Sequence, residues 1–262
     1  MPKTKTNTNI KDLKKTIIDK ETAVETNAPD KSEQAKKAEI LFDCAAPQKV
    51  YLTFNHKGRL VEVCHVLNFP SDERIIQFYK EAKVIQKTSA TGIETESEVS
   101  NAAVKLWDEL AVSRSGYADS NRADWKEKTS SLHKESAITG LLSAAGSFPK
   151  ILDAEFLGVD DDEQITIQIK SLFDGGWLFP EIIFNQPNAE QMRRYKKIRN
   201  VNFRNDGETL VETQSINLPD RAALFGELVF ESVGYRAGVP IHHQAEAINT
   251  LFENQIEVIA KN

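Results

Sequence analysis

The chain reads as an α+β protein: a tandem duplication of one hairpin-helix-hairpin-helix-helix module, preceded by a flexible N-terminal arm. Three observations predict this. The strings "LWDELAVSRSGY" (106–117) and "LFGELVFESVGY" (224–235) match at Leu, Glu, Leu, Gly and Tyr, 118 residues apart. Further matches follow in the same order at nearly the same spacing: "AEIL" (38–41) with "AEFL" (154–157), "NFPSDE" (68–73) with "NQPNAE" (185–190), "IETES" (93–97) with "VETQS" (211–215), and "HKESAITGLL" (133–142) with "HQAEAINTLF" (243–252). Both copies also open as strand, glycine turn, strand before their first helix. The expected division is a flexible arm at 1–36, copy one at 37–142, a linker at 143–152, copy two at 153–252, and a C-terminal helix extension at 253–262.

Each element has a local reason. Residues 1–36 are rich in Lys, Thr, Asn and acids and contain no aromatic, so they bury too little apolar surface to offset the entropy of ordering. "KVYLTFNHKGRLVEVCHVL" and "ITIQIKSLFDGGWLFPEIIF" alternate apolar and polar residues around a glycine turn, the pattern of a β-hairpin. Pro70 and Pro187, each followed by Ser or Asn and by Glu73 or Glu190, open helices that end near Lys83 and Arg199. Short extended pairs turning at "SATG" and "NDG" come next. Second helices are expected through "NAAVKLWDELAVSR" and "PDRAALFGELVFESV", stopped by Gly116 and Gly234 in a left-handed cap. Final helices begin near His133 and His243.

Composition narrows the class. With 40% apolar and 27% charged residues, collagen-like and wholly disordered chains are excluded. A net charge of -6 means that affinity for nucleic acid or an anionic membrane would need a local patch. Cys44 and Cys64 lack C-x-x-C spacing and read as reduced thiols, without a zinc framework. Neither a secretory signal nor a membrane-spanning run is read, so the expected location is the cytoplasm or a particle assembled there.

The residues with chemical potential divide by whether both copies hold them. Glu109 and Glu227, Tyr117 and Tyr235, and His133 and His243 recur, and are expected to be structural polar positions. His133 with Ala137, Ile138 and Leu141, like His243 with Ala247, Ile248 and Leu251, lies on one apolar helix face, so the histidine points into the core and stays neutral. His242 and Glu246 belong to copy two alone, where copy one has Leu132 and Ser136, and too few ligands accompany them for a metal site. "DDDE" (160–163) lacks calcium-loop spacing and reads as a solvated acidic turn. Phosphate-binding, dinucleotide, nucleophile-elbow and zinc-protease motifs are absent. The basic run Arg193, Arg194, Lys196, Lys197 and Arg199, and Trp125 on a longer polar loop of copy one, form the candidate interaction surface.

Shared scaffold with divergent surface charge points to a non-catalytic structural or assembly protein, contacting a protein partner or further copies of itself. Layouts of this kind occur among components of phage particles and other large assemblies. No catalytic, cofactor or metal residue is assigned, and no small-molecule substrate or membrane is expected. The alternatives are an enzyme with a site between the modules built from His242, His243, Tyr235 and Glu246, and a nucleic-acid or regulatory module using the basic helix 193–199.

Overall fold

The computed structural model describes residues 40–148, 164–198, 201–207 and 209–260, with side chains through residue 253. The arm at 1–36, the acidic run at 160–163 and Arg199 lie outside the described residues. The described chain is a mixed α+β fold with seven helices and three antiparallel sheets.

The first half starts with the hairpin β1 (Gln48–His56) and β2 (Arg59–Leu67), paired from Gln48↔Leu67 to His56↔Arg59. Alternation turns Val50, Val63 and Leu67 into the core. Helix α1 (Asp72–Glu81) begins where the Ser71 hydroxyl accepts the Arg74 N–H, with Asp72 and Glu73 in the first turn complementing the helix dipole. It buries Ile75 and Phe78. A second hairpin follows, β3 (Val84–Ser89) and β4 (Gly92–Ser97), and then α2 (Val99–Leu110), β5 (Ala111–Ser115), the single turn α3 (Trp125–Lys128), α4 (Ser131–Leu141) and β6 (Ala144–Ser147).

The second half contains β7 (Ile165–Phe173), β8 (Gly176–Leu178), β9 (Glu181–Phe184), α5 (Ala189–Lys197), β10 (Val201–Asp206), β11 (Thr209–Gln214), α6 (Leu218–Leu228), β12 (Val229–Val233) and α7 (Ile241–Ala260). A reciprocal capping box between Asn188 and Gln191 starts α5.

Two expectations about element ends are corrected. Helices α2 and α6 stop at Leu110 and Leu228 and pass directly into β5 and β12, which pair with β2 and β9. Val112 and Ser113, like Val229 and Phe230, are indifferent helix formers, and sheet pairing overrides the amphipathic pattern that continues through them. Gly116 and Gly234 therefore end strands rather than cap helices. Both have φ +85, and a Cβ at Gly116 would lie 2.7 Å from the Glu62 carbonyl oxygen, while one at Gly234 would lie 3.0 Å from Pro180 Cβ. The second correction concerns the linker: four of its residues, Ala144–Ser147, form β6 and pair with β7.

Two apolar clusters support the fold. One gathers Val50, Leu67, Ile75, Leu106, Trp107 and Ile138, and takes Leu218, Ile241 and Ala245 from the second half. The other packs Ile167, Ile169, Ile182, Phe184, Leu251 and Phe252. Each such side chain, fully buried, stabilises the fold by about 1.5–3 kcal/mol. The halves are stitched a second time at Phe42, whose N–H donates to the Gly234 carbonyl (2.8 Å) and whose carbonyl accepts from the Arg236 N–H (2.9 Å).

Strands β1-β2-β5 form one sheet and β12-β9-β7-β6 another, with β8 on β7. The third sheet, in order β10-β11-β3-β4, takes one hairpin from each half and joins them through β11 and β3. Among the described residues its edge strands β4 and β10 have no outer neighbour. Opposed residues share a face in an antiparallel sheet, so Ile93, Thr88 and Leu210 lie in one row, with Phe203 two positions away on the same face. Ile93 and Phe203 are each 63% exposed and Leu210 is 43% exposed.

The hairpins also test the match "IETES" with "VETQS". Glu94 stands opposite Lys87, whereas Glu212 stands opposite Gln86, one step along β3, so the two glutamates are on opposite faces. Equivalent positions, counted from the closing pairs Ser89↔Gly92 and Asp206↔Thr209, are 117 residues apart, not 118.

Candidate functional site

The recurring tyrosine and histidine meet in both halves. Gly116 turns the chain out of β5 and sets Tyr117 beside the start of α4. The Tyr117 hydroxyl lies 2.8 Å from His133 Nδ1 and 2.9 Å from His65 Nε2. Trp107 Nε1 is 3.0 Å from His65 Nδ1, and an indole nitrogen only donates. His65 Nδ1 therefore accepts, its Nε2–H donates to Tyr117, and the tyrosine proton goes to His133 Nδ1. Burial pushes His65 down to about 4, with the charges of His133 and Arg114 acting in the same direction. His133 is also lowered, by burial first and then by Arg114. The Arg114 guanidinium lies 4.2 Å from the Tyr117 ring centroid and is held by Thr129 (2.7 Å) and Asp119 (2.6 Å).

In the second half the Tyr235 hydroxyl lies 3.1 Å from His243 Nδ1, and His243 Nε2 lies 3.1 Å from Ser171 Oγ. Ser171 donates its single proton to the Ser143 carbonyl at 3.0 Å. The His243 Nε2–H must then donate to Ser171, the reverse of the proton direction that makes a serine nucleophilic. Ser171 and His243 are fully buried, and Phe42 covers the histidine at 4.8 Å between ring centroids. Burial takes His243 well below its usual value. At the position of Ser171, on β1, the first half has Phe54, which stacks on His133 at 4.4 Å. Both Tyr–His pairs are thus fixed by internal hydrogen bonds.

Glu109 and Glu227 do not join these sets. They pair with Arg74 (2.6 Å) and Arg194 (2.7 Å) of the preceding helices, at the surface. Arg194 is therefore engaged, and Arg193 Nε bonds the Ala189 carbonyl at 3.1 Å, while Arg193, Arg194, Lys196 and Lys197 are all exposed on α5. Trp125 is also placed differently from expectation. It is half-buried and packs edge-on against Trp107 at 5.6 Å, because α3 folds the longer loop back onto the core.

The unshared pair is where open chemistry remains. His242 and Glu246 line one small cavity of about 70 Å³ with Tyr79, Arg221 and Asn249. His242 is only 4% exposed, and neither ring nitrogen has a hydrogen-bond partner among the described residues. Burial lowers it to about 3. Its matched residue, Leu132, is exposed; His242 is buried because the start of α7 packs on the first half, where the Ile241 N–H donates to Asp72 Oδ1 at 3.0 Å. Arg221 is 6% exposed with an unpartnered Nε, and burial lowers its pKa. Glu246 accepts the Gly146 N–H at 3.1 Å.

His65 and Arg221 were not singled out in the sequence, although each carries a signal. His65 sits at an inward position of β2 between Val63 and Leu67. Arg221 lies on the Leu218, Phe225 stripe of α6, where a charge is out of place. Among the described residues no group of three or more His, Cys, Asp or Glu is arranged to hold a metal ion. Comparison of the chain with protein families, curated proteins and solved structures finds no match.

Proposed function

We propose that this is a non-catalytic assembly protein made of two copies of one module, working through contacts with protein surfaces in the manner of components of phage particles and other large assemblies. The observation that carries this reading is the third sheet: a surface built from both halves that exposes Ile93, Phe203 and Leu210 and, among the described residues, leaves both edges unpaired. Apolar residues on an open sheet mark interaction surfaces, and unpaired edges accept further strands. The duplication is supported by the shared element order, by the β2–β5 and β9–β12 pairings, each with a register shift, and by the Tyr–His bond made in both halves. The internally hydrogen-bonded Tyr–His sets support a structural rather than a proton-transfer role. The test is light scattering on the full chain, and on a chain lacking residues 1–36, over a range of concentrations. Particles heavier than the 29.4 kDa chain are expected. A monomer at every concentration, inert toward every structural component of the particle or complex with which the native protein copurifies, would count against assembly.

One observation favours a second reading. The cavity at His242, Glu246 and Arg221 combines buried His242 and Arg221 nitrogens, donor and acceptor, that are unpaired among the described residues with a nearby carboxylate, which suits a small polar ligand. A ligand there would raise the melting temperature saturably.

A further inference from the structure

We propose that the third sheet extends from one molecule to the next, with β4 of one copy pairing antiparallel with β10 of a second, and Glu94 opposite Arg204. The inference rests on the assembly function proposed above and names the partner surface. Its template is inside the molecule. Each hairpin has a first strand, β3 or β10, and a second, β4 or β11, closed by the equivalent pairs Ser89↔Gly92 and Asp206↔Thr209. The internal junction joins the second strand of one hairpin to the first strand of the other, through Leu210↔Thr88, Val211↔Lys87, Glu212↔Gln86, Thr213↔Ile85 and Gln214↔Val84. A second-to-first junction is not self-complementary. Among the described residues it leaves one first strand, β10, and one second strand, β4, as the free edges, and these are the two kinds that the internal junction already pairs.

Carrying the internal register across to the free edges gives definite partners. Ile93 falls opposite Asn205 of the second copy, Glu94 opposite Arg204, Thr95 opposite Phe203, Glu96 opposite Asn202 and Ser97 opposite Val201. Glu94 and Arg204 are both exposed, and among the described residues Arg204 forms an ion pair with Asp206 of its own strand at 3.9 Å. Opposite charges placed directly across a strand pair stabilise it. On the other face Ile93 comes diagonal to Phe203 of the neighbour, so the two most exposed apolar residues of the sheet cover one another. Pairing β4 with β4 would instead crowd Glu94 and Glu96 of both copies on one face. Strand directions alternate through β10-β11-β3-β4, so an incoming β10 continues the antiparallel order. Contacts of this head-to-tail kind close into a ring or run on as a filament.

The experiment is sedimentation velocity on the full chain over a wide concentration range, for the wild type, Glu94→Arg, Arg204→Glu and the double variant, with circular dichroism verifying the fold. The wild type should self-associate. Each single reversal sets like charges opposite one another and should weaken association at least about tenfold, while the double reversal restores it to within about threefold. A monomeric wild type overturns the inference. Association that neither single reversal weakens also overturns it, while leaving the assembly function standing on a different surface. A dimer that Arg204→Glu dissolves and Glu94→Arg leaves intact would place β10 against β10 and overturns it as well.

Discussion

Replacing His242 by Leu should make the protein more stable. The two ring nitrogens are buried without partners among the described residues, and a buried polar group left unsatisfied costs about 1–3 kcal/mol. Leucine has a similar size and no polar atom, so at pH 7 the variant should gain about 1–3 kcal/mol, or roughly 2–4 °C of melting temperature per kcal/mol for a folded unit of this length. The gain should grow in acid. His242 titrates at 6.5 in the unfolded chain and at about 3 in the folded one. Below pH 6.5 the unfolded state binds a proton that the folded state refuses. The stability tied to this group is therefore full above 6.5 and is lost as pH falls toward 3, at up to about 1.4 kcal/mol per pH unit. His65 and His243 are depressed too and keep their share of the slope. Urea denaturation followed by far-UV circular dichroism, at pH 7 and pH 5, measures both effects. A Leu variant less stable than wild type at pH 7, or an unchanged pH slope, would refute the reasoning.

Two further predictions use the repeated positions as internal controls. Gly116→Ala and Gly234→Ala each force a side chain into positive φ at about 1 kcal/mol, and Gly116→Ala should lose more because its Cβ meets backbone at 2.7 Å, against 3.0 Å at Gly234; equal losses in urea denaturation would contradict the close approach. Tyr117→Phe strips a partner from both His65 and His133 and should cost about 2 kcal/mol, while Tyr235→Phe strips one from His243 and should cost about 1 kcal/mol; the reverse order by the same measurement would contradict the two-bond and one-bond assignments.

Much of the fold was legible because each element's signal occurs twice. The hairpins, the helices after Pro70 and Pro187, and the final helices from near His133 and His243 follow from capping and alternation alone. Strands β5 and β12 were not legible, since no Gly or Pro separates them from the helices before them and only pairing with β2 and β9 ends the helical pattern. The E-T-x-S match misled by one residue, enough to change face in a strand. The Tyr–His contacts were legible through recurrence, whereas Arg221 lining the same cavity as His242 depends on how α6 packs against α7, a relation with no local sequence signature. Trp125 shows the same limit: a polar loop around an aromatic does not say whether the loop folds back.

Phe42 gives the two halves a shared fate. It precedes the first hairpin, yet its backbone closes onto Gly234 and Arg236, and its ring sits against Tyr235 and His243 near the far end of the chain. Nearby, Arg236 reaches Asp43 across 193 residues of sequence. Contacts this distant demand a large loss of chain entropy before they return any energy, so they form late in folding. A ribosome-bound chain that has released only its first half cannot complete either core, because one lacks Leu218 and Ile241 and the other lacks nearly all its members. Although its sequence reads like two beads, the protein should be born, and should melt, as one.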